Sequence, residues 1–163
     1  MKRAGFGIVA LGLVACAPVQ QKLVYPPVVE VERISLTSLR LPTPGRTAEA
    51  GVQLELRIEN PNPLPVRLAR IEGALVVEGQ EVGQVTVSGL ELPAQGETRQ
   101  VAQLDLPLTL NTAALFLGIA RGQEVSYRLD GTLTADFGPL GQPRFGPFTL
   151  SQGVWKQAPL RLF

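Results

Sequence analysis

Hydrophobic and polar residues alternate along most of this chain. From 52 to 59, Val52, Leu54, Leu56 and Ile58 alternate with Gln53, Glu55, Arg57 and Glu59. A period of two turns one row toward a core and the other toward water, as in a strand of an antiparallel sheet. Val29 and Val31 alternate with Glu30 and Glu32, and Ile34 and Leu36 continue in a shifted phase. In 66–79, Val66 and Leu68 occupy even positions, whereas Ile71, Gly73, Leu75 and Val77 occupy odd ones. One regular strand cannot turn both sets inward, so a bulge or bend is expected near Ala69-Arg70. Gly79-Gln80 predicts a hairpin turn into "EVGQVTVSG". Residues 97–110 set Leu104, Leu106, Leu108 and Leu110 on one face, with Asp105, Pro107 and Thr109 on the other. Pro107 has no amide hydrogen for a ladder and marks an edge strand or a local gap in pairing. The stretch 124–137 turns Val125, Tyr127, Leu129, Gly131, Leu133, Ala135 and Phe137 inward. Phe145, Phe148 and Leu150 then make a last short strand.

The period breaks at two places. "NTAALFLGIARG" (111–122) brings Leu115, Phe116 and Ile119 to one side of a helix. Asn111 or Thr112 can cap its start, Arg121 suits the last turn and Gly122 the end. At the beginning, Lys2 and Arg3 precede an apolar run from Ala4 to Ala15. That run is shorter than the ~20 residues of a membrane-spanning helix and has the layout of a signal peptide. Leu13-Val14-Ala15-Cys16 resembles the bacterial lipobox, in which lipid joins the cysteine sulfur and the chain is cut just before it. Residues 1–15 therefore read as a lipoprotein signal peptide, with Cys16 the lipidated residue. Residues 16–28 hold three prolines, show no period, and read as a tether reaching some 40 Å at ~3.3 Å per residue. A strand-rich domain over 29–151 follows, then a tail over 152–163 that carries Trp155, Leu160, Leu162 and Phe163.

Composition narrows the class. At 163 residues the expectation is one domain. Hydrophobic residues make up 45% of the chain but aromatics only 6%, so the core is aliphatic. Fourteen prolines and 17 glycines, spread throughout, indicate many short elements between turns. Together these predict an all-β, antiparallel fold, a β-sandwich or a barrel. The net charge is +1, without the basic excess of a nucleic-acid-binding domain. There is no histidine and a single cysteine. Lipidation of Cys16 would leave no thiol for catalysis, disulfides or metal.

Candidate chemistry is sparse. Glu55 and Glu59 share a strand face but stand about 13 Å apart along it, beyond the ~5–9.5 Å of a glycosidase pair. Asp130 and Asp136 fall on the outward phase of their strand, and Ser126 has Arg128 nearby but no base. The expectation is a non-enzyme with no cofactor, no metal and no nucleic-acid partner.

The stop after Ile58 is more telling. The strand runs into Asn60-Pro61-Asn62-Pro63, with Pro65 following. Three prolines withdraw backbone donors and hold the chain extended, so pairing must end there. The amides of Asn60 and Asn62 can bond backbone groups left open nearby. This strand and tripeptide resemble the late-embryogenesis-abundant type 2 family, also called the water-stress and hypersensitive-response (WHy) domain. The resemblance extends through "IEGALVVEGQEVGQVTV" (71–87), "PAQGET" (93–98), a short helix and "YRLDGTL" (127–133), over roughly 29–150. It implies a fibronectin-III/immunoglobulin-like sandwich of about seven strands plus one helix, and a role in desiccation and related stresses. Asn60, Pro61 and Asn62 would be the family motif, in a structural role.

Two functions fit these expectations. One is a stress-protective lipoprotein of the bacterial cell envelope, facing away from the cytoplasm, on the outer membrane where there is one. Its partners would be the membrane, through the anchor, and unfolding client proteins. The other is a module that binds or transfers lipid or another apolar ligand. A wide cavity between the sheets would favour the second and a filled interior the first.

Overall fold

The computed structural model describes residues 24–161. The expected signal peptide, Cys16, and Leu162 and Phe163 lie outside the described residues. Seven strands and one helix follow in the order β1 (Val28–Arg40), β2 (Glu49–Glu59), β3 (Val66–Val77), β4 (Gln80–Leu92), β5 (Glu97–Pro107), α1 (Leu110–Ala120), β6 (Val125–Asp136) and β7 (Arg144–Trp155). They build a three-stranded sheet, β1-β2-β5, facing a four-stranded sheet, β4-β3-β6-β7, with every strand pair antiparallel. This is the all-β fold that the alternation predicts and the fibronectin-III-like sandwich of seven strands that the family resemblance implies.

The inward rows meet between the sheets. Val52, Leu54, Leu56 and Ile58 of β2 are buried, facing Leu68, Ile71 and Leu75 of β3 and Leu129 and Leu133 of β6. Fully burying each such side chain stabilises the fold by roughly 1.5–3 kcal/mol. The phase changes are absorbed by bulges. β1 slips by one residue between Val31 and Arg33, so Val29, Val31, Ile34 and Leu36 all face the core. β3 slips against β6 between Leu68 and Arg70, which places Ala69 at the expected bend. Pro107 ends β5 at the free edge of its sheet, where the missing donor leaves no gap in a ladder.

Some boundaries differ from the sequence-based expectation. The hairpin turn is Glu78-Gly79, one residue earlier than Gly79-Gln80, because Val77 pairs with Gln80 and both turn residues take positive φ, 48° and 78°. The helix is capped by Thr109 instead of Asn111 or Thr112. Its hydroxyl accepts from the Thr112 amide, and the Thr112 hydroxyl accepts from the Thr109 amide at 2.8 Å, a reciprocal box. Leu110 thereby leaves the strand, opens the helix and stands 92% exposed. Leu104 is only half-buried, as befits an edge strand. β7 does not stop near Leu150 but runs on to Trp155, so the segment expected as a tail begins inside a strand. Phe148 is exposed on this strand, whereas Trp155 is fully buried and meets Phe116 of α1 edge-on at 6.1 Å. Phe116, Ile119 and Ala120 are buried too, so α1 closes that end of the core.

Candidate functional site

The Asn-Pro-Asn motif lies where β2 leaves its sheet. Asn60 and Asn62 are the only buried polar side chains among the described residues. Burial of an amide is unfavourable unless every polar atom is bonded, and here each one is. The Asn60 Nδ2 donates to the carbonyls of Leu64 (2.7 Å) and Pro93 (3.0 Å). Its Oδ1 accepts from the Asn62 backbone amide (3.0 Å) and from Asn62 Nδ2 (2.9 Å). Asn62 Nδ2 also donates to the Tyr25 carbonyl at 2.9 Å, and its Oδ1 accepts from the Tyr25 amide at 2.7 Å. Main-chain bonds complete the knot, from Asn60 N to Gly96 O (2.8 Å) and from Gln95 N to Asn62 O (2.9 Å). Pro61, between the two amides, is exposed and donates nothing.

The motif thus ties three segments together: the β2–β3 connection, the Pro93–Gly96 turn between β4 and β5, and the chain arriving at β1. The last two partners are not adjacent in sequence to the motif. "PAQG" is legible as a turn, but nothing in the one-dimensional pattern pairs Tyr25 with Asn62.

The other candidates stay apart. Glu55 pairs with Arg33 at 3.6 Å on the outer face of the three-stranded sheet. Arg57 sits centrally on that face between Glu30 and Glu97. Bonding to Glu30 is the main reason its guanidinium holds its proton above the usual value. Asp130 accepts from Thr149 at 2.7 Å and from Arg128 at 2.6 Å, which pulls its carboxyl below the usual range, Thr149 contributing most. Asp136 holds the Gly138 amide and Gln142. Ser126 donates its backbone amide to Glu78, whose carboxyl is lowered chiefly by that bond. These are fastenings of strand ends and sheet faces, spread over both sheets. Among the described residues no three His, Cys, Asp or Glu side chains lie together as a metal site requires.

Open grooves lie at the α1 end. One, of about 650 Å³, is formed by the loop between β1 and β2 with Arg40, Arg46 and Glu49. Another, of about 410 Å³, runs beside α1 and is lined by Leu39, Leu41, Leu117 and Leu160 with Thr37, Ser38 and Arg161.

The chain is an all-β protein, a three-on-four sandwich closed by one helix, with a buried amide knot after β2. The family model described as late embryogenesis abundant protein matches residues 55–151, more than half of the chain, and the chain belongs to that family. Membership suggests a water-stress-related role. Three solved structures share the fold. A solution structure described as a late embryogenesis abundant (LEA) protein is 18% identical, with 85% of this chain and 75% of that one covered at a TM-score of 0.52. A structural-genomics target solved by X-ray is 10% identical, covering 84% and 91% of the two chains at 0.52. A solution structure from Arabidopsis thaliana is 20% identical, covering 82% and 86% at 0.50. At such identities the likeness speaks for the fold alone. A search of curated proteins finds no match.

Proposed function

We propose that this protein is a non-catalytic, lipid-anchored member of its family, held on the bacterial cell envelope by Cys16 and facing away from the cytoplasm. There it limits damage to neighbouring proteins or to the membrane surface when water is withdrawn. The family match over 55–151 carries this reading, and the lipobox-like Leu13-Val14-Ala15-Cys16 supplies the anchor. Contacts to unfolding chains would fall on apolar residues of the outer sheet faces, such as Val101 and Val154. Trp155 takes no part, because it is buried.

Two measurements test the reading. Cells expressing Cys16→Ala are fractionated, and the variant is expected to leave the membrane pellet; retention equal to the parent's would remove the anchor. A fragile enzyme is then dried with the protein or with an unrelated sandwich of equal size and charge. Greater activity after rehydration is expected with the protein, and equal protection would reduce the effect to crowding.

The groove lined by Leu39, Leu41, Leu117 and Leu160 favours a second reading, a module that binds or transfers an apolar ligand. Extraction of labelled lipid from vesicles at a measurable rate would put that reading first.

A further inference from the structure

The two ends of the sandwich differ in chemistry. Val28 pairs with Glu59, Glu59 with Glu97, Val66 with Leu92, Arg67 with Asp136, and Thr134 with Arg144. These pairings gather four segments at one end: the arriving chain (24–27), the β2–β3 connection (60–65), the β4–β5 turn (93–96) and the β6–β7 connection (137–143). None of the four contains a charged residue, in a chain that is 18% charged. The segments at the other end carry Arg46, Glu78, Arg121, Glu124, Lys156 and Arg161.

The end with uncharged loops also exposes large apolar side chains. Tyr25 is 57% exposed, Leu64 45% and Leu140 49%, with Val28 at 54% beside them at the start of β1. Exposed prolines, Pro61, Pro63, Pro65 and Pro93, stiffen the rim. The amides of Asn60 and Asn62, which would bar such a tip from an apolar medium, are bonded internally.

We propose that this end of the sandwich rests on the surface of a lipid bilayer, with Tyr25, Val28, Leu64 and Leu140 as its contacts. The proposal rests on the anchoring reading above and adds an orientation to it. Position favours lipid over a protein partner. Val24, at this end, is eight residue steps from Cys16, and eight steps span at most about 30 Å. The tip is therefore held within reach of the bilayer. Loops without charge that carry a tyrosine suit the interfacial region, where amphipathic rings sit at the headgroups, and the charged strand ends Glu59, Arg67, Glu97 and Arg144 lie just behind them, at headgroup level. The amide knot leaves no polar atom of the Asn60 and Asn62 side chains unbonded, so these two groups lose no hydration when the tip meets the bilayer. The strands then rise from the bilayer by about 40 Å, and the charged end with α1 faces water. Asn62 fixes this pose, since its two bonds to Tyr25 join the arriving chain to the sandwich.

The test uses the chain from Cys16 onward, which keeps every residue of the sandwich, as the acylated protein purified from cells and as a chain coupled through the Cys16 thiol to a maleimide phospholipid. Both are placed in phosphatidylcholine vesicles containing brominated lipid, which quenches indole emission at short range. Leu64→Trp, Leu140→Trp and Leu110→Trp are compared, with buried Trp155 as a constant background. Quenching of the added emission by about half or more is expected at positions 64 and 140, and little at 110. Equal quenching at all three, or none at 64 and 140, overturns the orientation. Leu64→Glu combined with Leu140→Glu should abolish the quenching of a Val28→Trp reporter in the coupled chain. Persistence of that quenching counts against the proposal as well. If the cellular protein carries no acyl chain while the coupled chain shows the expected pattern, the anchoring reading fails alone. If it is acylated and shows no preference, the orientation fails alone.

Discussion

Asn60 and Asn62 show what a single residue can hold in this fold. Each shares its bonds with segments far away in the chain, so truncation strands several groups at once. Asn62→Ala removes both partners of Tyr25 and one of Asn60, at about 1–3 kcal/mol for each group left buried and unbonded. The expected outcome in urea unfolding is a lower midpoint, with loss of amide protection at Tyr25. Asn62→Asp is nearly isosteric but points an acceptor at the Tyr25 carbonyl and at Asn60 Oδ1. At neutral pH it should destabilise more than alanine. Mild acid should restore part of the loss, because a protonated carboxyl can donate one bond. Tyr127 gives the opposite limb. Burial raises its phenol above the usual value, outweighing the bond to Ser151. A folded-state value raised above the unfolded one means that this stabilisation is complete below about pH 10 and is lost as pH rises through the raised value. The parent should lose stability in that alkaline window more steeply than Tyr127→Phe, as measured by urea titrations at stepped pH.

At the scale of elements, the sandwich depends on how closely β3 and β6 approach. Gly73 and Gly131 face each other across this pair. A Cβ on Gly131 would stand 2.1 Å from the Glu72 carbonyl and 2.6 Å from Gly73 Cα, both backbone atoms that cannot swing aside. Gly131→Ala should therefore fall in the rare class above ~4 kcal/mol or yield no folded protein. Gly79→Ala is the control. It meets open space but needs φ of +78°, so it should lose only about 1–2 kcal/mol. Thermal unfolding of the two variants separates crowding from backbone strain. The Thr109–Thr112 box belongs to the same scale. It caps α1 two residues after Pro107 and so sets which face of the helix, with Phe116 and Ile119, meets the core.

Across the whole molecule, the two sheets join at β1 and β7 through side chains in place of a ladder. Ser151 Oγ accepts from the Val31 amide at 3.0 Å, and Gln157 Oε1 accepts from the Leu36 amide at 2.7 Å. Gln157 also takes the Trp155 Nε1 hydrogen at 3.0 Å. One glutamine beyond the last strand thus satisfies both a sheet edge and the buried indole. Gln157→Ala should expose the Leu36 amide to exchange and red-shift the tryptophan emission, with a loss of about 1–3 kcal/mol. Fast exchange at Leu36 without a spectral change would mean that Trp155 is held by Phe116 alone. The connecting loops are charged at one end of the molecule and uncharged at the other, and the bilayer orientation proposed above depends on that contrast.

The period of two determined the strands by itself, because each inward row must be removed from water together and a slip of one residue would expose it all. Hence Val52 to Ile58 and Val125 to Phe137 are legible without a structure, and so is the bend at Ala69-Arg70, where two inward phases collide. The family was legible from the ordered motifs around Asn60-Pro61-Asn62. Other features depended on partners distant along the chain. Thr109 caps α1 because Leu108 still bonds Ala48 at 2.8 Å and the chain turns only after it. Trp155 is buried because β7 pairs with β6 as far as Val125, a register that the Pro- and Gly-rich stretch before it hides. The duties of Asn60 and Asn62 were set by Pro93 and Tyr25, respectively 33 and 37 residues away. The cluster of uncharged loops exists only once folding collects four separate neutral stretches. Local periodicity records which side of a strand avoids water, whereas the groups that meet at a strand's end are chosen by topology.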